Sequence, residues 1–176
     1  HRYFNEFWGV GSLQSAFAYK VGFKKHHIHQ GFYVCNSIFT KHKIKSNDSK
    51  NLKILFIGRL VKEKNILNLS NLIEKINIKM KSFHELIVIG DGILKHEMSK
   101  NSSTKLLGIK SQNEIIEIAK ICDLFCLPSN YEPWGVVIHE MTSLGLPILC
   151  SYDCGGGFDL VINDYNGYKF NDLEEL

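Results

Sequence analysis

Arginine is almost absent from this chain: of its 21 basic residues, only Arg2 and Arg59 carry a guanidinium group. Against 18 acidic residues the formal charge is only +3. That is too even for the concentrated basic face of a dedicated nucleic-acid binder. No apolar run approaches the roughly 18–20 residues that span a bilayer, and no signal-peptide pattern opens the chain. The cysteines, Cys35, Cys122, Cys126, Cys150 and Cys154, are odd in number and scattered. They form no secretory disulfide framework and fit a reduced, cytoplasmic setting. The two Cys-x3-Cys pairs lie in or beside apolar runs, so buried free thiols are expected and no metal site. What is present is the composition of a folded domain, 44% apolar and 22% charged over 176 residues. That length holds one sizeable domain or a little over one. The opening residue is His1 rather than Met, and the chain reads as a fragment of something longer.

Apolar runs of strand length alternate with helix-period segments from residue 53 onward. Strands are predicted at Lys53 to Ile57, Leu86 to Ile89, Lys105 to Leu107, Asp123 to Leu127, Pro147 to Ser151 and Gly167 to Phe170. Between the first two, Ile66, Leu69, Leu72, Ile73, Ile76 and Met80 repeat at helical spacing. Ser111 and Glu114 form a capping box before a further helix, and Val136 to Leu144 reads as another. Gly155-Gly156-Gly157 reads as a loop ahead of a short helix near Phe158 to Ile162. Continuous apolar strands separated by helices indicate a parallel sheet covered on both faces, a Rossmann-like doubly wound α/β domain. Residues 1–40 read as the end of a preceding domain, and 41–52, polar and lysine-rich, as an exposed linker. Those lysines also suit an anionic lipid surface.

The densest chemical signal runs from Pro128 to Glu140, where a strand ends, a polar loop crosses the sheet top and a helix begins near Gly135. Free backbone N–H groups at a helix start are a ready phosphate site, and Gly135 lets an anion approach closely. Glu140 lies about one turn inside the helix and leans toward its N-terminus, placed to accept hydrogen bonds from ribose hydroxyls. Glu132 precedes the helix and meets the other end of the same ligand. Arg59 and Lys64, in the loop after the first strand, supply two cations to clamp a diphosphate and offset charge on a departing nucleotide. A nucleoside diphosphate sugar has the shape these groups suit.

These residues resemble a known family. Phe56-Ile57-Gly58-Arg59-Leu60-Val61-Lys62-Glu63-Lys64 is similar to the "GR…KEK" segment of the family 4 retaining glycosyltransferases, and Glu132 and Glu140 are spaced as in that family's Glu-x7-Glu motif. Gly90-Asp91-Gly92, Gly145-Leu146-Pro147 and Asn166-Gly167 fall in the family's order as well. The resemblance covers residues 52 to 170 and, more faintly, 7 to 40. It implies one half of a two-domain GT-B fold, with residues 53–176 the nucleotide-sugar-binding domain, incomplete at its C-terminus. It implies Arg59 and Lys64 on the diphosphate, helped by the backbone of Gly135, Val136 and Val137. Glu140 would bind the ribose and Glu132 the donor sugar, catalytic in a loose sense because retention in this family is attributed to front-side attack. Ile109 and Lys110 would line the base pocket, and Trp134 would shield the cleft. The implied reaction is sugar transfer, with retention, to an acceptor glycan, lipid or small molecule, as in polysaccharide biosynthesis, with no metal or other cofactor. Asp159 stands where family members often have Glu.

Other residues have simpler readings. His139 points about 100° away from Glu140 on a helix and is structural. His26, His27 and His29 sit in a polar turn without partner carboxylates, and Asp91 is a turn residue. Two other function classes fit the same pattern less well: a nucleotide-sugar-binding module without transferase activity, and a GT-B enzyme such as an epimerase, whose own carboxylates and histidine have no evident place here.

Overall fold

The computed structural model describes residues 3–44 and 50–175. In the main body the strands are β3 (Lys53–Ile57), β4 (Glu85–Ile89), β5 (Thr104–Leu106), β6 (Leu124–Leu127), β7 (Ile148–Ser151) and β8 (Gly167–Phe170). Each is within about two residues of its predicted span. β1 (Phe7–Val10) and β2 (Ile28–Gly31) precede them. The six later strands are all parallel, in the order β5-β4-β3-β6-β7-β8. Chain order therefore reverses between β3 and β6, the switch point where doubly wound sheets bind ligands.

Helices α2 (Ile66–Met80), α3 (Lys95–Met98), α4 (Gln112–Ala119), α5 (Val136–Leu144) and α6 (Gly155–Leu160) carry the crossovers. The predicted capping box forms: the Ser111 side chain accepts from the Glu114 N–H, and the Glu114 carboxylate accepts from the Ser111 N–H. Those bonds hold the Glu114 carboxyl down at about 2. Leu55, Phe56, Leu86, Val88, Phe125, Leu127, Ile138 and Ile148 are buried in one continuous core. Cys122, Cys126, Cys150 and Cys154 lie in that core as free thiols. Burial pushes Cys122 and Cys150 up to about 12, so neither is a thiolate at neutral pH.

Two expectations are corrected. Gly155, Gly156 and Gly157 are not a loop; they form the first turn of α6 and are buried. Gly155 N–H donates to the Glu132 carbonyl at 2.9 Å and Gly156 N–H to the Trp134 carbonyl at 2.6 Å. A Cβ on either would overlap the Pro133 or Trp134 carbonyl oxygen. The run exists because the β6–α5 loop lies directly on this turn, and two of its N–H groups are already used. The histidine turn also has a carboxylate partner: Glu6 bonds His27 Nδ1 at 2.9 Å and His29 Nε2 at 2.7 Å. Parallel pairing of Phe7 with Ile28 and Trp8 with His29 brings Glu6 there.

The N-terminal strands and α1 (Gly11–Lys20) pack on the main body. Ser12 donates its N–H to Asp159 Oδ2 at 2.9 Å and its hydroxyl to Asp159 Oδ1. Phe39 is fully buried in the main core. Ile44 N–H donates to the Leu144 carbonyl at 2.8 Å and the Lys43 ammonium to Ser143 O at 3.1 Å, which docks the start of the expected linker on α5. Positions 45–49 of that linker lie outside the described residues.

At the carboxyl ends of β3 and β4 the backbones touch. Gly90 has φ +137°, and a Cβ there would overlap the Gly58 carbonyl oxygen. Gly90→Ala should therefore lower stability by roughly 2–4 kcal/mol through combined backbone strain and overpacking. Urea denaturation checks this, with Gly108→Ala as comparison, since a Cβ at Gly108 meets nothing within 4 Å although its φ is also positive.

Candidate functional site

The loops at the carboxyl ends of β3, β4, β5 and β6 are fastened to one another by backbone hydrogen bonds. Gly58 N–H donates to Ile89 O at 3.0 Å, Leu60 N–H to Asp91 O at 2.9 Å, and Gly90 N–H to Gly108 O at 2.8 Å. Asn130 N–H donates to Glu63 O at 2.9 Å, joining the β3–α2 loop to the β6–α5 loop across the switch point. Arg59, Lys64, Ile109, Glu132 and Gly135 are thus carried on one continuous rim.

Lys64 closes a single 3-10 turn, Lys62–Lys64, before the left-handed Asn65 (φ 53°). Its ammonium forms an ion pair with Glu132, and both side chains are only about 15% exposed. The two residues expected at different parts of a ligand therefore meet directly. Arg59 lies exposed on the same loop and makes no ion pair among the described residues. Gly135 is left-handed (φ 80°) and starts α5 without a side-chain cap. A Cβ there would press on Glu132 Cγ at 3.0 Å. The first-turn N–H groups at Val136 and Val137 face no capping side chain, which leaves the positive end of the α5 dipole for an anion.

Glu140 is half-buried in the second turn of α5, and burial raises its carboxyl above the ordinary range. Among the described residues no side chain hydrogen-bonds it. A desolvated acid without a donor is unfavourable on its own terms and suits a hydroxylated ligand that completes it. Ile109 is exposed beside the Gly90 loop, while Lys110 is turned toward Glu114 at 3.1 Å. Trp134 is buried rather than standing over an open cleft. Its ring lies 5.4 Å from that of Phe32, and a Cβ on Gly11 would overlap it. His139 Nδ1 lies 3.1 Å from the Tyr33 carbonyl oxygen, which can only accept, so the ring donates there and ties α5 to the N-terminal segment.

Asp159 is the residue whose role sequence reasoning did not reach. It holds the N-terminus of α1, 147 positions away, and nothing local to either residue signals the pairing. Tyr131 and Tyr152, on loops flanking Glu132, also went unremarked; both are large exposed rings, and their position beside the motif was the available signal.

A family model described as "Glycosyl transferases group 1" matches residues 37–173. An Escherichia coli protein named UDP-Gal:alpha-D-GlcNAc-diphosphoundecaprenol alpha-1,3-galactosyltransferase is 31% identical over 148 residues, 77% of this chain and 37% of that protein. Putative teichuronic acid biosynthesis glycosyltransferase TuaC of Bacillus subtilis is 31% identical over 58% of this chain and 25% of its own. The chain thus spans about a quarter to two fifths of the length of these relatives. Among solved structures, lipopolysaccharide outer core galactosyltransferase WaaB superposes with TM-score 0.80 at 18% identity, over 96% of this chain and 49% of that one. Anabaena Alr3699/HepE, solved with UDP and glucose, gives 0.71 at 17% identity, over 94% and 49%. The fold is accordingly one half of a GT-B glycosyltransferase, and with a switch-point rim of this kind and a family match over most of its length, the chain belongs to the group 1 glycosyltransferases.

Proposed function

We propose that this chain is the donor-binding half of a retaining transferase that moves a sugar from a nucleoside diphosphate to an acceptor. One observation carries the reading: Arg59, Lys64, the uncapped start of α5, Glu132 and Glu140, which no described side chain hydrogen-bonds, all stand around one hydrogen-bonded rim at the switch point. Two cations and a helix N-terminus suit a diphosphate, and a buried carboxylate suits the ribose hydroxyls. Ile109 and Lys110 would border the base.

In this reading the diphosphate draws Lys64 away from Glu132. The released Glu132 carboxylate then accepts from hydroxyls of the donor sugar, while Lys64 and Arg59 neutralise the charge that grows on the leaving diphosphate. The Val136 and Val137 N–H groups hold the same oxygens. The acceptor hydroxyl attacks from the face the diphosphate leaves, its proton passing to a departing phosphate oxygen, which retains configuration. Charge neutralisation falls to Arg59 and Lys64, so the scheme assigns no metal or other cofactor.

Residues 3–44 are read as the edge of the acceptor-binding domain. β1 and β2 form a two-stranded parallel sheet with Trp8, Tyr19 and Val34 exposed, and parallel sheets are ordinarily larger and covered on both faces. The partners proposed are a nucleotide sugar and a glycan, lipid or small-molecule acceptor, with no nucleic acid. No described helix is long and apolar enough to cross a membrane; a cytoplasmic site, at the inner membrane face where the acceptor is lipid-linked, is part of the proposal.

Calorimetry with UDP tests it. Arg59→Ala should weaken UDP binding far more than uridine binding; equal losses would remove Arg59 from the phosphate site. Glu140→Gln should weaken UDP by about 10- to 100-fold, as for a hydrogen bond to a charged acceptor worth about 1.5–3 kcal/mol. The same substitution should stabilise the free chain. The folded-state pKa of Glu140 lies above its unfolded value, so its ionised form disfavours folding as pH rises through that window, and not below it. The gain in Tm over the parent chain should appear at pH 7 and vanish near pH 4; equal Tm values at both pH values would sink this assignment.

A further inference from the structure

Helix α2 starts beside Lys64 and ends at the opposite edge of the sheet, about 22 Å away along its axis. Its last turn and the turn that follows read Lys75-Ile76-Asn77-Ile78-Lys79-Met80-Lys81-Ser82-Phe83. Ile78, Met80 and Phe83 are 76%, 68% and 81% exposed. Lys75, Lys79 and Lys81 among them are also exposed and make no ion pair among the described residues. The turn is pinned. Lys81 ends the helix in the left-handed region (φ 52°), and Ser82 N–H donates to Asn77 O at 3.1 Å. The Asn77 NH2 donates to His84 O at 2.8 Å and to Ser103 Oγ at 3.0 Å. Its side-chain oxygen accepts from His84 N–H at 2.8 Å and from the Ser82 hydroxyl at 3.0 Å. Phe83 N–H donates to Asn51 Oδ1 at 3.0 Å. A fully bonded turn thus presents a phenyl ring to solvent, which is unfavourable unless something covers it. Lys50 and Lys53 flank Asn51 and are exposed at the same end. Two carboxylates, Glu74 and Glu85, share a hollow with Lys53, Ile78 and Phe83, and both are partly withdrawn from water.

We propose that this end of the domain docks on a bilayer surface rich in anionic lipid. Ile78, Met80 and Phe83 enter the headgroup layer, and Lys75, Lys79 and Lys81 pair with lipid phosphates. The inference makes no use of the donor reading. Charge and apolarity together choose the occupant. The core of a protein–protein interface is depleted in lysine, whereas here lysines alternate with the apolar side chains and break any contiguous apolar patch. A nucleic acid would engage the ammonium groups but leave three apolar side chains in water. The headgroup layer takes both: lysine stems lie along apolar groups with their charges at phosphate level, and the apolar side chains reach the acyl boundary. The N-terminal segment also exposes Phe17, Tyr19 and Val21 near Lys20 and Lys24. That segment holds only a two-stranded parallel sheet, a kind that needs protein on its faces, while α2 belongs to the six-stranded domain. Docked through the end of α2, the domain keeps its donor rim, at the start of α2, turned away from the lipid and open to ligand in solution.

Cosedimentation of the 176-residue chain with vesicles tests this, using phosphatidylglycerol and phosphatidylcholine in equal parts against phosphatidylcholine alone. The chain should bind the mixed vesicles, less tightly as salt rises, and should not bind phosphatidylcholine alone. Lys75→Ala, Lys79→Ala and Lys81→Ala combined should weaken binding about 100-fold, at about fivefold for each charge removed. Ile78→Ser with Phe83→Ser should weaken it about tenfold. All five side chains are exposed, and thermal denaturation confirms that both variants fold. Lys24→Ala with Lys25→Ala is the comparison and should bind as the parent chain does. Failure to bind the mixed vesicles overturns the proposal, as does equal binding to phosphatidylcholine alone. Binding kept in full by both α2 variants, or lost in the Lys24 and Lys25 pair instead, overturns it too. Binding of a DNA duplex through the same lysines, without vesicle binding, would replace the lipid surface with a nucleic acid.

Discussion

A parallel sheet cannot turn back on itself; each strand must cross over to begin again at the same end. Every carboxyl end in this domain therefore opens on one edge of the sheet, and every helix that follows starts there. The reversal of order between β3 and β6 parts two of those loops and leaves a gap between them. Around that gap stand the cation-bearing turn after β3, the glycine turn after β4 and the uncapped start of α5. The hydrogen bond from Asn130 to Glu63 and the Lys64–Glu132 ion pair cross the gap and keep its two sides in register.

The rim is arranged at some expense to stability. Glu140 is desolvated and has no side-chain donor among the described residues, and the N–H groups that start α5 lack a side-chain cap. Lys64 and Glu132 are mostly withdrawn from water, where an ion pair gains less than its proximity suggests. Each of these features would be removed in a sequence selected for stability alone. Together they fit the charged, hydroxylated ligand proposed for this rim. The glycines at 90, 155 and 156 serve the same arrangement differently, by letting backbones touch where side chains would hold the loops apart.

The N-terminal segment belongs to this arrangement rather than lying beside it. Asp159 grips the start of α1 through both of its oxygens. Trp134, at the turn leading into α5, packs between Gly11 and Phe32. The residue just before the start of α5 is therefore wedged against the neighbouring segment. The two loops that flank Glu132 also face Phe7 and Phe17 of that segment across a cleft.

The periodicity of the sequence determined the sheet, its parallel sense and the order of helices and strands, because each apolar run could be buried only as a covered strand. It also placed Arg59, Lys64, Glu132 and Gly135 at strand ends and a helix start and Glu140 inside α5, since local turns set those positions. What only the tertiary structure decided was the pairing of groups distant in the chain. Lys64 meets Glu132 across 68 positions and Ser12 meets Asp159 across 147. Gly155 to Gly157 turned out to be a helix start because the β6–α5 loop presses on them, and His27 and His29 found a partner in Glu6 because β1 and β2 run side by side. Spacing in a sequence encodes what one element presents; which elements face one another depends on the closing of the whole sheet.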